Sequence, residues 1–70
     1  MKLIWETGAE ISVRAKDRET VISANRAGLL SLANHLTALA GEFPGSHIHY
    51  DDQNSLEEGS AELVVEMKPE

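Results

Sequence analysis

Apolar and polar positions follow two different periods along this 70-residue chain. The stretch from Asn25 to Glu42, NRAGLLSLANHLTALAGE, has the helical one. At 100° per residue, Leu29, Leu32, Ala33, Leu36, Leu39 and Ala40 fall within an arc of roughly 120°, the width of a core-facing stripe. Ser31, Asn34, His35 and Ala38 lie opposite, with Leu30 and Thr37 on one flank. Asn25 is a suitable N-cap, because its side-chain oxygen can accept from a free backbone N–H one turn in. Gly41 stands where a helix commonly ends, and Pro44 prevents it from resuming. Burying Leu29, Leu32, Leu36 and Leu39 would contribute about 6–12 kcal/mol gross, the largest single source of core in so short a chain.

The remaining elements have the two-residue period of strands. Residues 2–6 and 10–15 read as strands, with Ile11 and Val13 on one face and Glu10, Ser12 and Arg14 on the other. Thr7-Gly8 marks a turn between them. A three-residue loop through Ala9 sets Trp5 opposite Ile11 and Leu3 opposite Val13. That register is expected because it buries an indole and a leucine, whereas a one-residue slip would flip every side chain. Lys16 to Glu19 form a charged turn. Thr20 to Ala24 are β-prone, either as a third strand or as an extended lead into the helix. Phe43 to Ser46 are a loop, in which Phe43 can fold back toward Leu39. Residues 46–52 read as a strand with Ile48 and Tyr50 on one face and His47, His49 and Asp51 on the other. Residues 53–60 are a polar loop anchored by Leu56. In the last strand, residues 61–67, Leu63, Val65 and Met67 face inward and Glu62, Val64 and Glu66 outward.

The predicted order is β-β-(β)-α-β-β. It is a single α+β domain over residues 1–70, an antiparallel sheet of four or five strands with the helix on one face. The uncovered sheet face is predicted to carry Glu10, Ser12, Arg14, His47, His49, Asp51, Glu62, Val64 and Glu66. It is polar enough for a monomer, and it is also the surface through which a weak homodimer would form.

Charge sharpens this picture. Residues 1–46 hold five acids and five bases. Residues 47–70 hold seven acids (Asp51, Asp52, Glu57, Glu58, Glu62, Glu66, Glu70) against Lys68 alone, and so carry the whole net charge of −6. Such a segment repels nucleic acid and attracts a basic protein surface. With no cysteine there are no disulfides and no thiolate chemistry. No charged lead into an apolar run suggests a signal peptide, and no apolar run approaches the ~20 residues of a membrane span. A soluble cytoplasmic chain without a membrane partner is expected.

The sharpest chemical pattern is His47-x-His49-x-Asp51. Alternate strand residues project to one side, so two imidazoles and a carboxylate can converge on a metal, with Glu62 or Glu66 completing the site. With Asp52 the run HIHYDD resembles the H-x-H-x-D-H ligands of metallo-β-lactamase-like hydrolases, except that Asp52 stands where the last histidine should be. Cross-strand pairing of His47 and His49 with Glu62 and Glu66 is the simpler expectation. His35 is expected to be half-buried with one local hydrogen bond. Ser31, His35 and Asp51 can be assembled into a triad only on paper, since no G-x-S-x-G turn exists. The acid pairs Asp51-Asp52 and Glu57-Glu58 read as solvated. The five glycines are isolated and form no phosphate loop, and three aromatics are too few to stack bases. Neither an enzyme nor a cofactor is expected.

Asn25 with Gly28-Leu29, then Leu32-Ala33, His35-Leu36, Leu39-Ala40, His47 and His49, and finally Leu56, Gly59-Ser60 and Glu62-Leu63 form a familiar combination. Over residues 21–67 the chain resembles a family of small α+β bacterial proteins classed among the predicted immunity proteins of polymorphic toxin systems. The resemblance implies a protein that occupies a toxin and needs no chemistry of its own. The charge map suits it: His47, His49, Asp51, Glu57, Glu58, Glu62 and Glu66 would dock a basic, nuclease-like toxin domain. The alternatives are a small metal-binding protein or a structural accessory domain.

Overall fold

In the computed structural model, which describes all of residues 1–70, the first paired strands are joined by a tight turn at Asp17-Arg18. This two-residue loop joins β1, Ile11–Lys16, to β2, Glu19–Ala24, in antiparallel register with Lys16 opposite Glu19, Val13 opposite Ile22 and Ile11 opposite Ala24. Asp17 takes the left-handed conformation the tight turn needs, at φ 58°. Thr20 to Ala24 are therefore a true strand. A helix, α1, follows over Arg26–Ala40, and a second antiparallel hairpin pairs β3, His47–Tyr50, with β4, Leu63–Glu66.

The expected strand at residues 2–6 does not form, although the turn after it does: Ala9 N–H donates to the Glu6 carbonyl at 3.2 Å, with Gly8 at φ 79°. The strand they were expected to pair with meets β2 on one side and residues 57–61 on the other. The backbone of residues 2–6 instead runs along α1 and is held by its side chains. Ile4 N–H donates to Asn34 Oδ1 at 2.9 Å, Glu6 N–H to Ser31 Oγ at 2.8 Å, and His35 Nε2 lies 3.0 Å from the Ile4 carbonyl oxygen.

That segment rotates the buried side of the helix away from the expected stripe, of which Leu39 stays buried and Leu32 half-buried. The buried positions of α1 are Gly28, Ser31, His35 and Leu39, whereas Leu29, Leu30, Ala33, Leu36 and Ala40 are exposed. An extended backbone beside a helix needs donors and acceptors, because unpaired peptide groups are costly to bury. Ser31, Asn34 and His35 supply them. Leucines cannot.

The helix caps are those the sequence predicts. Asn25 Oδ1 accepts from Gly28 N–H at 2.8 Å, and Gly41 N–H bonds back to Ala38. Asn25 also ties the preceding chain, accepting from Glu10 N–H at 3.0 Å and donating to the Gly8 carbonyl at 2.9 Å. Gly28 sits where α1 crosses β1 and β2. A Cβ there would stand 2.6 Å from the Glu10 carbonyl oxygen and 2.9 Å from Ile11 Cγ1.

The four strands form two separate two-stranded sheets, not one continuous sheet. Residues 57–61 run beside β1 and link them: Glu57 N–H donates to the Ile11 carbonyl and Ala61 N–H to the Val13 carbonyl, both at 2.8 Å. One side advances four residues while the other advances two, so the ladder cannot continue. Ser60 Oγ fills the gap by accepting from Val13 N–H at 3.2 Å. The core is Ile11, Val13, Leu39, Ile48, Tyr50 and Leu56, with Leu3, Leu32, Leu63, Val65 and Met67 packed around it. Leu56 anchors its loop as expected. Phe43 does not fold back on Leu39; it is 85 % exposed.

Candidate functional site

Alternation along the second hairpin sends its two faces to different environments. Ile48 opposite Val65 and Tyr50 opposite Leu63 turn inward; Ile48 and Tyr50 are buried, and Leu63 and Val65 partly so. His47 opposite Glu66 and His49 opposite Val64 turn outward, and all four are exposed, as is Glu62. The His47 and His49 rings meet edge to face, with centroids 4.8 Å apart. His47 Nδ1 lies 3.2 Å from the Gly45 carbonyl oxygen, which only accepts. The proton therefore sits on Nδ1, and Nε2 is left to face solvent.

Asp51 does not join the histidines. Its Oδ1 accepts from Gln53 N–H at 2.9 Å, and its carbonyl accepts from Ser55 and Leu56 N–H at 3.1 and 2.9 Å. It is the first residue of a tight loop that drives Leu56 into the core. Asp52 closes the same loop by accepting from Gly59 N–H at 3.2 Å. No three histidine, aspartate or glutamate side chains converge as metal ligands. The order His47-x-His49-x-Asp51 fails as a triad because the turn after β3 claims the carboxylate.

Glu57 and Glu58 are exposed but stand apart from the hairpin face, beside β1. Glu57 and Glu10 line a shallow depression of about 210 Å³ with Ser12, Ser23 and Asn25. Glu58 borders another, of about 190 Å³, shared with Arg14. The acidic residues thus form two groups: Glu62 and Glu66 beside the histidines, and Glu57 and Glu58 at the edge of the first hairpin.

Two features escaped the sequence reading. One is the bare apolar side of α1. The other is an aromatic cluster in which His35, fully buried, makes two long-range contacts, Nδ1 to Tyr50 Oη at 2.8 Å and Nε2 to the Ile4 carbonyl, while Trp5, expected to be buried, is 42 % exposed. Trp5 packs edge-on against His35 with centroids 4.4 Å apart. Burial pushes the Tyr50 phenol above its ordinary value of 10.0. Ser31 Oγ donates to the Ala27 carbonyl at 2.8 Å and accepts from Glu6, so neither Ser31 nor His35 is free to work with Asp51. No buried side-chain nitrogen or oxygen lacks a partner. No helix is long and apolar enough to cross a membrane.

The family described as Immunity protein 32 matches residues 19–68, from the first residue of β2 to just beyond β4. No curated protein and no solved structure matches the chain.

Proposed function

Because the chain belongs to the Immunity protein 32 family, we propose that it neutralises a basic, nuclease-like toxin domain by covering it with an acidic surface and performing no chemistry of its own. Family membership implies an immunity-type role and a toxin partner. The finer reading rests on charge. Residues 47–70 carry the whole net charge of −6, and Glu57, Glu58, Glu62 and Glu66 in that segment are all exposed. A toxin that cleaves nucleic acid needs a cationic cleft for phosphates, and carboxylates spaced along a hairpin and its loop can substitute for them. Val64, 47 % exposed between Glu62 and Glu66, adds an apolar contact to the polar face.

The exposure of those four carboxylates is the observation that carries the reading. Its test is the association of this chain with a purified toxin domain that bears a cationic nuclease cleft, at several salt concentrations. Changing Glu57, Glu58, Glu62 and Glu66 together to glutamine should slow association by about 10-fold or more at low salt and flatten its salt dependence. Unchanged kinetics and an unchanged salt slope would sink the acidic-surface reading.

A further inference from the structure

The outward side of α1 is apolar, and its details point to what covers it. Leu29 and Leu36, 55 % and 48 % exposed, alternate with exposed Ala33 and Ala40 on one line along the helix. In a chain of which 26 % is charged, no charged residue occurs between Arg26 and Glu42. A helix side that faces water ordinarily carries charges.

The charges at the two ends are more specific. Arg26 begins the helix, and Glu42 follows its Gly41 cap. Both are placed against their own helix dipole, which favours acids at the start and bases at the end. An antiparallel neighbour reverses that relation.

We propose that the outward side of α1 is a self-association surface, on which two copies of this chain pack helix against helix, antiparallel, about a twofold axis. A twofold interface must be complementary to itself. Aligning the helices about a point between Ala33 and Leu36 sets Leu29 of each copy opposite Ala40 of the other, and Ala33 opposite Leu36. Every large side chain then meets a small one, which suits close helix packing at about 8–10 Å between axes. The same alignment brings Arg26 beside Glu42 and Phe43 of the second copy, so a base meets an acid, an exposed ring and the negative end of a helix.

This surface is independent of the proposed toxin face. The two surfaces lie on different elements: Leu29, Ala33, Leu36 and Ala40 on α1, Glu62 and Glu66 at the second hairpin. A dimer through α1 leaves two acidic faces free.

Sedimentation equilibrium of the full chain, from micromolar to millimolar concentration, tests the proposal. The expected limit is twice the chain mass of 7.6 kDa. Leu36→Glu places a carboxylate at the centre of the seam, on an already exposed position, and should give a monomer with unchanged far-ultraviolet circular dichroism. Arg26→Glu should weaken the dimer about 10-fold, since the twofold axis repeats the repulsion, and adding Glu42→Arg should restore it. The charge-reversal pair decides the matter even if Leu36→Glu unfolds the chain. A wild-type chain that stays monomeric throughout, or a dimer indifferent to both Leu36→Glu and Arg26→Glu, overturns the proposal. So does a monomer in which Leu36→Glu weakens only the toxin complex, because the helix side would then belong to the toxin.

Discussion

Tyr50 Oη donates to His35 Nδ1 across 2.8 Å in the centre of the core, joining β3 to α1. The direction follows from the other side of the imidazole. Its Nε2 faces a carbonyl oxygen, that of Ile4, which fixes a proton there; in the tautomer with that single proton Nδ1 accepts. One histidine thus links three parts of the chain that are distant in sequence: the N-terminal segment, the helix and the second hairpin.

Removing that link is expected to be costly. His35→Ala leaves the Tyr50 hydroxyl and the Ile4 carbonyl without partners and opens a cavity, a loss of about 3–5 kcal/mol. Urea unfolding followed by circular dichroism should show a sharply lower midpoint. The fluorescence of Trp5, the only tryptophan and a neighbour of His35, should shift toward that of an exposed indole. An unchanged midpoint would mean that the cluster contributes nothing to stability.

The same contact makes stability sensitive to alkali. Below pH 10 the Tyr50 phenol is neutral in both folded and unfolded chains. Above it the unfolded chain ionises first, because burial holds the folded phenol above its ordinary value of 10.0. The folded state then binds more protons, and stability falls as pH rises. Tyr50 is the only tyrosine, so the tyrosinate absorbance reports it directly. Tyr50→Phe should lower stability by about 1 kcal/mol at neutral pH and remove this part of the alkaline loss.

Gly28 should resist even the smallest enlargement. Alanine is favoured over glycine in a helix by about 1 kcal/mol. Here, however, the added methyl would meet the Glu10 carbonyl oxygen at 2.6 Å and Ala24 Cβ at 3.0 Å. Backbone cannot yield as a flexible side chain would, so Gly28→Ala should destabilise by about 1–3 kcal/mol. A stabilised variant in thermal melts would show that α1 is free to lift off β1 and β2.

Two substitutions at Asn25 separate its capping role from its tethering role. Asn25→Asp keeps the acceptor for Gly28 and Glu10 but loses the donor to the Gly8 carbonyl, and should cost about 1 kcal/mol or less. Asn25→Ala loses all three bonds and should cost about 2–3 kcal/mol. An Asn25→Asp variant as stable as the wild type in denaturant titrations would rule out the separate bond to Gly8.

Much of this architecture can be read from local signals. Asn25 and Gly41 bound the helix because capping is chemistry between near neighbours. His47 to Tyr50 and Leu63 to Glu66 alternate cleanly and pair antiparallel, with His47 opposite Glu66 as expected but His49 opposite Val64 and not a glutamate. Thr7-Gly8 turns where it should. What local pattern cannot show is which chain segment a face will meet. The leucine stripe of α1 looks like a core face until the N-terminal segment demands hydrogen bonds that Ser31, Asn34 and His35 alone can make. The sheet likewise divides because Ser60 replaces a backbone partner of Val13, which no period along the chain reveals. At the candidate site, the exposure of His47, His49, Glu62 and Glu66 follows from alternation. The withdrawal of Asp51 into its own turn depends on Gln53, Ser55 and Leu56 closing a loop behind it.

The first residues of the chain are fastened by side chains alone where they pass the helix, at Ser31, Asn34 and His35. These fastenings are separate side-chain bonds, of which that at Asn34 opens by a side-chain rotation, whereas a strand in a ladder must unzip in order. Amide exchange at Ile4 and Glu6 should therefore run ahead of exchange within β1. The opening stretch behaves as a strap with three independent buckles, able to lift from the body while both hairpins stay shut.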